Sequence, residues 1–366
     1  MNVALVFNVK KEEPTSEESV DPPSIPPPPG NTLTLQANRS VDTYAEWDTI
    51  ETIDAVRAAL AEFHSVTLVE ADEDAFSKLS ALRPDIVFNV SEGLHGVSRE
   101  AQIPSLLEIL QIPYTGSDPL TLATCLDKAR TKEILSYYNI ATPHFVVVSE
   151  ISELTGAVVK FPCFVKPLHE GSSKGIFNSS VARSWDDLWR EVNTIIETYN
   201  QPALIEEYLV GREFTVALLG NGGAVQVLPI VEIRFDSLPE GVNPIYSYEA
   251  KWLWDRANAP LDIFECPAKI PAGLQEEIES LCRKAFSVFR CRDWCRIDVR
   301  LDANGKPHIL ELNPLPGILP KPEDNSCFPK AARAVGISYN RLLQTVLHLA
   351  AQRYGFFNGK SRKGAA

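Results

Sequence analysis

The chain has 366 residues, room for two or three domains that each bury a core. Its 48 acidic and 35 basic residues leave a net charge of −13, a field that repels a phosphate backbone and excludes a general nucleic-acid binder. No apolar run approaches the ~20 residues that span a bilayer, so a soluble, cytoplasmic chain with no membrane partner is expected.

Residues 1–9 are apolar but run into Lys10-Lys11-Glu12-Glu13 without a basic leader, so they read as a first β-strand, not a secretory signal. The next segment, 11–43, combines Glu12, Glu13, Glu17 and Glu18 with Pro22, Pro23 and Pro26 to Pro29. Such a composition buries too little apolar surface to offset chain ordering, and it reads as a disordered insertion, a solvated loop in preference to a proline-motif ligand. Ile50, Ile53, Val56, Leu60 and Phe63 then recur at helical spacing. Short β-branched runs at 66–69 and 86–90 flank a helical stretch at 76–82, so 1–120 is predicted to be a parallel α/β domain.

Beyond Thr121 one helix carries Asp127, Lys128, Arg130 and Lys132, and strands at 145–148, 163–166 and 203–208 make 121–212 a mixed α+β block. A third block, 213–352, opens with long strands at 213–219 and 224–234, continues with a helix at 274–290 and ends in a hairpin at 296–313; 353–366 is a tail. The seven cysteines are scattered, with no Cys-x-x-Cys pair and no His at zinc spacing, which predicts reduced structural thiols. Cys291 and Cys295, flanking Trp294, read as a buried thiol pair in preference to metal ligands.

The segment from Arg296 to Asn313 carries the most chemistry. Asn304-Gly305 between alternating apolar residues signals a two-residue hairpin turn, pairing Ala303 with Lys306. Counting back along both arms sets Asp298 opposite Glu311 and Arg296 opposite Asn313, all on one face, with Ile297, Val299, Ile309, Leu310 and Leu312 as apolar alternates. Opposed carboxylates repel unless a cation compensates them, and oxygen donors from Asp, Glu and Asn suit Mg²⁺ completed by substrate phosphates. Pro314-Leu-Pro-Gly317 then ends the strand and exposes backbone N–H groups.

A second segment, Phe164-Val-Lys166-Pro-Leu-His-Glu-Gly171-Ser172-Ser173-Lys174-Gly175, places a small-residue loop after a strand, where amides can approach phosphate oxygens. It has neither Walker nor dinucleotide-binding spacing. Lys128, Lys166 and Lys251 supply three cations from separate segments, each of which alone reads as a surface lysine.

Together with Leu106 to Ser117, Leu126-Asp-Lys128, Glu206 to Thr215, Tyr246 to Lys251 and Cys266-Pro-Ala, these segments resemble the D-alanine–D-alanine ligase family of ATP-grasp enzymes, from about residue 86 to residue 350. The resemblance implies an ATP-grasp fold with an N-terminal parallel α/β domain, and ATP between two antiparallel sheets. It implies Lys128, Lys166, Lys251 and Ser173 near the phosphates, Glu206 and Leu209 at adenine, Glu213 at ribose, and Asp298, Glu311 and Asn313 on Mg²⁺, with Mn²⁺ as the alternative. Arg296 and the Gly317 amide would face a tetrahedral intermediate, Ser172 would place the first amino acid and Ser326 would hold the second one's carboxylate. Small amino acids are the implied partners, and a homodimer the implied assembly.

Four departures accompany the resemblance, one being Lys321-Pro-Glu-Asp-Asn-Ser326, which adds residues beside the acceptor pocket that the resemblance implies. Phe7-Asn-Val-Lys-Lys and the insertion replace a Gly-rich substrate loop, leaving Glu46 as the nearest first-subsite acid. Trp252 stands where these ligases carry Tyr, removing a phenolic O–H that could contact Ser172. His95 either faces the acceptor or packs in a loop.

Overall fold

The computed structural model describes residues 1–10, 42, 44–93, 95–255 and 261–357. The predicted insertion at 11–43 lies outside the described residues except for Asp42, and so does the tail from 358 onward. Asp42 is buried and accepts hydrogen bonds from the Tyr199 hydroxyl (2.6 Å) and the Gly175 amide (3.3 Å).

The amino-terminal strand β1 (Asn2–Phe7) lies centrally in a three-stranded parallel sheet with β2 (Ser65–Glu70) and β3 (Ile86–Asn89) on either side. Both faces of β1 are covered, which is why its sequence is continuously apolar. Val3, Leu5 and Phe7 face a core shared with α1 (Ile50–Ala61), whereas Ala4 and Val6 face α2 (Ala75–Leu82) and α3 (Gln102–Leu110). The predicted α1 stripe holds at Ile53, Val56 and Leu60, but its ends, Ile50 and Phe63, are 58% and 72% exposed.

The single helix expected after Thr121 is two, α4 (Pro119–Leu126) and α5 (Lys128–Tyr137). Asp127 separates them because its backbone is extended and its carboxylate caps the Ala129 and Arg130 amides. Then β4 (Phe145–Val148), β5 (Cys163–Pro167), β6 (Val181–Ala182), α6 (Trp185–Tyr199) and β7 (Ala203–Glu207) build an antiparallel sheet of order β4-β7-β5-β6.

A larger antiparallel sheet follows, of order β11-β10-β8-β12-β13 with β9 paired to β8. Its strands are β8 (Glu213–Leu219), β9 (Gln226–Val227), β10 (Val231–Ile233), β11 (Phe264–Glu265), β12 (Trp294–Leu301) and β13 (Pro307–Asn313). The predicted strand at 224–234 is thus broken between β9 and β10, where Pro229 has no N–H for the ladder. Helix α7 (Ala272–Val288) covers one face, burying Ile278, Cys282, Ala285 and Phe286. Helices α8 (Cys327–Ala334) and α9 (Tyr339–Arg353) close the fold, and the apolar stripe of α9 joins the core of β1 and α1.

The hairpin turn differs from the expected one. Lys306 N and Asn304 N both bond to the Asp302 carboxylate, and Leu301 pairs with Pro307, so the loop is longer than two residues and the register starts one place off. A β-bulge corrects it: Val299 faces Ile309 but Asp298 faces Glu311, with Leu310 the extra residue. The expected pairings of Asp298 with Glu311 and Arg296 with Asn313 therefore hold, while Leu310, expected as a core alternate, lines a cavity instead.

Candidate functional site

A cavity of about 210 Å³ lies between the two antiparallel sheets, with walls from β5, β7, β8, β12 and β13. On β12 and β13, Arg296 Nη2 lies 3.0 Å from Asp298 Oδ2 and 3.8 Å from Glu311 Oε1, and the Asn313 amide nitrogen is 3.2 Å from Asp298 Oδ2. Burial raises the Asp298 carboxyl above the usual range, Arg296 pulls it back and the Glu311 charge adds to the rise. Glu311 is held well below that range: burial opposes ionisation, but Lys128, Lys166 and Arg296 outweigh it.

Opposite, Lys166 leaves β5 to meet Glu206 of β7 at 2.8 Å, and Lys132 of α5 meets the other oxygen of Glu206 at 2.8 Å. Lys132, noted from sequence only as a helix cation, is fully buried, and burial together with the Lys166 charge lowers it to about 8 despite Glu206. Glu206 is ionised because the two lysines outweigh its burial. Leu209 and Glu213 complete this wall, Glu213 bonding to Arg300 at 2.8 Å.

The loop after β5 has Ser172 and Ser173 at φ 51° and 61°, a left-handed pair that brings successive amides to one side. Gly175, at φ +71°, is required because a Cβ there would lie 2.3 Å from Pro167 Cγ. Ser173 Oγ donates to the Tyr246 carbonyl at 2.9 Å, and the Trp252 indole N–H donates to the Ser172 carbonyl at 3.1 Å. Trp252 thus reaches Ser172 from a different atom than a phenol would use. Its ring sits between the Lys10 and Lys251 ammonium groups, at 5.2 and 5.0 Å. Burial and the Arg296 charge lower Lys251 to about 8.

At the amino-terminal end, Glu46 lines the cavity but already accepts from Arg99 (2.7 Å) and from the Gly171 amide. Arg99 also faces Glu170, whose carbonyl receives the Lys128 ammonium and whose carboxylate meets Lys174 at 3.0 Å. Two cavity carboxylates, Asp48 and the exposed Glu207, have no side-chain hydrogen bond or ion pair among the described residues, and burial pushes Asp48 up to about 7. Ala45 and Trp47 are buried, but residues 44–46 form a turn in which the Trp47 N–H donates to the Tyr44 carbonyl, so no strand alternation in the sequence pointed to Asp48.

His95 does not enter the site. Its side chain is exposed outside the cavity and its carbonyl accepts from Gln102, whereas Arg99, four residues on, is buried against Glu46. Gly317 and Ser326 line the far wall, where Ser326 Oγ accepts from the Leu319 amide at 3.1 Å and donates to the Gly317 carbonyl at 3.2 Å. Lys128 stands 3.7 Å from Glu311. All seven cysteines are free; Cys291 is hydrogen-bonded to both Cys125 and Cys295, and Cys327, unremarked in the sequence, lines the cavity.

The family described as D-ala D-ala ligase C-terminus matches residues 134–348, which span β4 through α9 and hold most of these walls. The chain belongs to the D-alanine–D-alanine ligase family. A relative from Sinorhizobium fredii, the uncharacterized protein y4sG, is 36% identical over 86% of this chain and 91% of its own length. The D-alanine–D-alanine ligase of Bordetella petrii is 34% identical over 78% of this chain and 81% of its own. Among solved structures, the Bacillus anthracis D-alanine–D-alanine ligase complexed with ATP superposes with a TM-score of 0.69 at 22% identity, covering 96% of this chain and 98% of that one. That likeness is one of fold, and it includes the N-terminal α/β domain of the D-alanine–D-alanine ligase family. No described helix is long and apolar enough to cross a membrane.

Proposed function

We propose that the chain is an ATP-dependent carboxylate–amine ligase joining two small amino acids, with D-alanine as the first candidate at both positions. The observation that carries this reading is the convergence, on one cavity between two sheets, of Lys166, Lys251 and Arg296 with the opposed Asp298 and Glu311. Relatives named D-alanine–D-alanine ligase and a structural neighbour described with ATP support it. In this reading Lys128, Lys166, Lys251 and the Ser173 loop neutralise the triphosphate, Glu206 and Leu209 border the adenine, and Glu213 accepts from the ribose.

The donor set fits a hard cation. Among the described residues no three His, Cys, Asp or Glu side chains gather as an all-protein metal cage. Two carboxylates and an amide, Asp298, Glu311 and Asn313, instead leave positions for water and phosphate oxygens, as Mg²⁺ or Mn²⁺ prefers. Such an ion would offset phosphate charge during transfer.

The carboxylate of the first amino acid attacks the γ-phosphorus, ADP departs with the bond electrons, and an acyl phosphate results. The second amino acid's amine, losing a proton, adds to the carbonyl carbon, and inorganic phosphate leaves with its bond electrons. Arg296 and the Gly317 N–H oppose the charge on the carbonyl oxygen, Asp48 receives the first ammonium beside Ser172, and Ser326 faces the second carboxylate. No enzyme nucleophile is needed, which agrees with the thiol lining the cavity, Cys327, being pushed up to about 12 by burial.

A screen of D- and L-amino acids for ATP-dependent phosphate release tests the reading, with Arg296→Ala as the control. The variant should bind ATP but lose dipeptide formation by roughly 10²–10³-fold, as when one oxyanion donor is deleted. ATP binding without amino-acid-dependent ADP release by the unsubstituted protein would mark a nucleotide binder in place of a ligase.

A further inference from the structure

Arg300 is a conspicuous group that the proposed chemistry leaves without a task. It lies two residues beyond Asp298 on the same strand, is only 5% exposed, and lines the cavity beside Tyr208 and Glu213. Both terminal nitrogens of its guanidinium are held: Nη1 donates to Glu213 Oε2 at 2.8 Å, and Nη2 to the Pro244 carbonyl at 2.7 Å. Its plane lies over the rings of Tyr208 and Phe235, at 5.2 and 5.5 Å. Nε–H of Arg300 and the Tyr208 hydroxyl are buried without a hydrogen-bond partner among the described residues. A purely structural counter-charge for Glu213 would need neither the aromatic clamp nor a position on the cavity wall.

We propose that Arg300 is a positioning residue: by holding one oxygen of Glu213 it turns the other toward the cavity as a fixed, charged acceptor for the vicinal hydroxyls of a nucleotide ribose. The inference rests on the nucleotide reading above and adds to it a source of sugar selectivity. Glu213 opens β8 and is buried against the cavity, where an untethered carboxylate could take more than one orientation; the guanidinium, locked by Pro244 and two rings, removes that choice. A hydrogen bond between a sugar hydroxyl and an ionised acceptor is strong only when the acceptor is held in place, so selectivity should follow Arg300 even though Arg300 need not touch the sugar.

The test is the affinity of the intact protein for ATP, 2′-deoxy-ATP and 3′-deoxy-ATP, measured by titration for the unsubstituted chain and for Arg300→Lys and Arg300→Met. The unsubstituted chain should prefer ATP over at least one deoxynucleotide by roughly tenfold or more, the size expected of a hydrogen bond to a charged group. Arg300→Met should bring that ratio near one, chiefly by weakening ATP, and Arg300→Lys, which keeps charge but loses the fork, should lower it part-way. In a Glu213→Gln background, replacing Arg300 should leave the ratio where Glu213→Gln alone puts it, which a merely structural arginine would not require. A folded Arg300→Met with the original ratio overturns the inference; should that variant not fold, an unchanged ratio in Arg300→Lys does the same. Equal binding of ATP and both deoxynucleotides by the unsubstituted chain overturns this inference alone, whereas no binding of any adenine nucleotide overturns the nucleotide reading with it.

Discussion

The two ends of the cavity handle charge in opposite ways. At the hairpin end, every acid has a cation within reach: Asp298 and Glu311 face Arg296, and Glu311 also faces Lys128. At the amino-terminal end, Arg99 is shared between Glu46 and Glu170, and Asp48 is left over. A compensated cluster keeps its protonation state over a wide pH range, while an uncompensated buried carboxyl titrates near neutrality until a cationic ligand arrives. In the proposed reading the first end would offset charge during phosphoryl transfer and the second would receive an ammonium.

The largest expected effect breaks the hairpin end. Glu311→Gln with Asn313→Ala should leave the melting temperature little changed, since Glu311 lines the cavity and Asn313 lies two residues on along the same strand, opposite Arg296, yet lower ligation by more than ~10³-fold, beyond the loss of a single donor. Turnover near the original rate with Mg²⁺ would remove these residues from the metal assignment. Next, Asp48→Asn should raise KM for the first amino acid by roughly 10–100-fold, the cost of a lost charged hydrogen bond. Glu46→Gln should change that KM far less and destabilise the fold more, because it strands Arg99. Steady-state kinetics with the second amino acid saturating separates the two, and equal effects would erase the distinction between them.

The smallest effects are in pH dependence. In the free protein Asp48 is raised to about 7, so as pH falls through 7 it gains a proton and the first amino acid should bind more weakly. Lys251 is lowered to about 8, so as pH rises through 8 it loses its proton and ATP should bind more weakly, by about threefold per half unit at most. Lys251→Arg, which stays charged, should abolish the alkaline decline, and titrations with ATP across this range would show it.

How far the sequence could be read follows from the distance over which each contact is made. The register that opposes Asp298 and Glu311 came from one hairpin, where period-two alternation relates residues fewer than twenty positions apart. Even there the turn was misplaced, because the Asp302 carboxylate caps the loop amides and an offsetting bulge hides the shift. The division of α4 from α5 was visible in principle, since Asp127 is a strong capping residue. The amino-terminal end was not: Glu46 meets Gly171 across 125 positions and Arg99 across 53, and no local pattern says which of two neighbouring carboxylates a distant arginine will take. Trp252 shows the same limit, as a lost phenol was foreseeable but an indole reaching the Ser172 backbone was not.

The seating of α9 has a consequence for how the chain is made. Gln344 of α9 donates to the Ala59 carbonyl of α1 across 285 positions, and Leu343, Val346 and Leu347 are buried in the core that contains Ile53, Val56 and Leu60. During synthesis the parallel sheet and α1 can pack early, but the outer side of α1 and the core they share are completed only when α9 is added. The core beside β1 is therefore shared by segments 285 positions apart, and loss of α9 would expose apolar surface on α1 as well as on α9 itself.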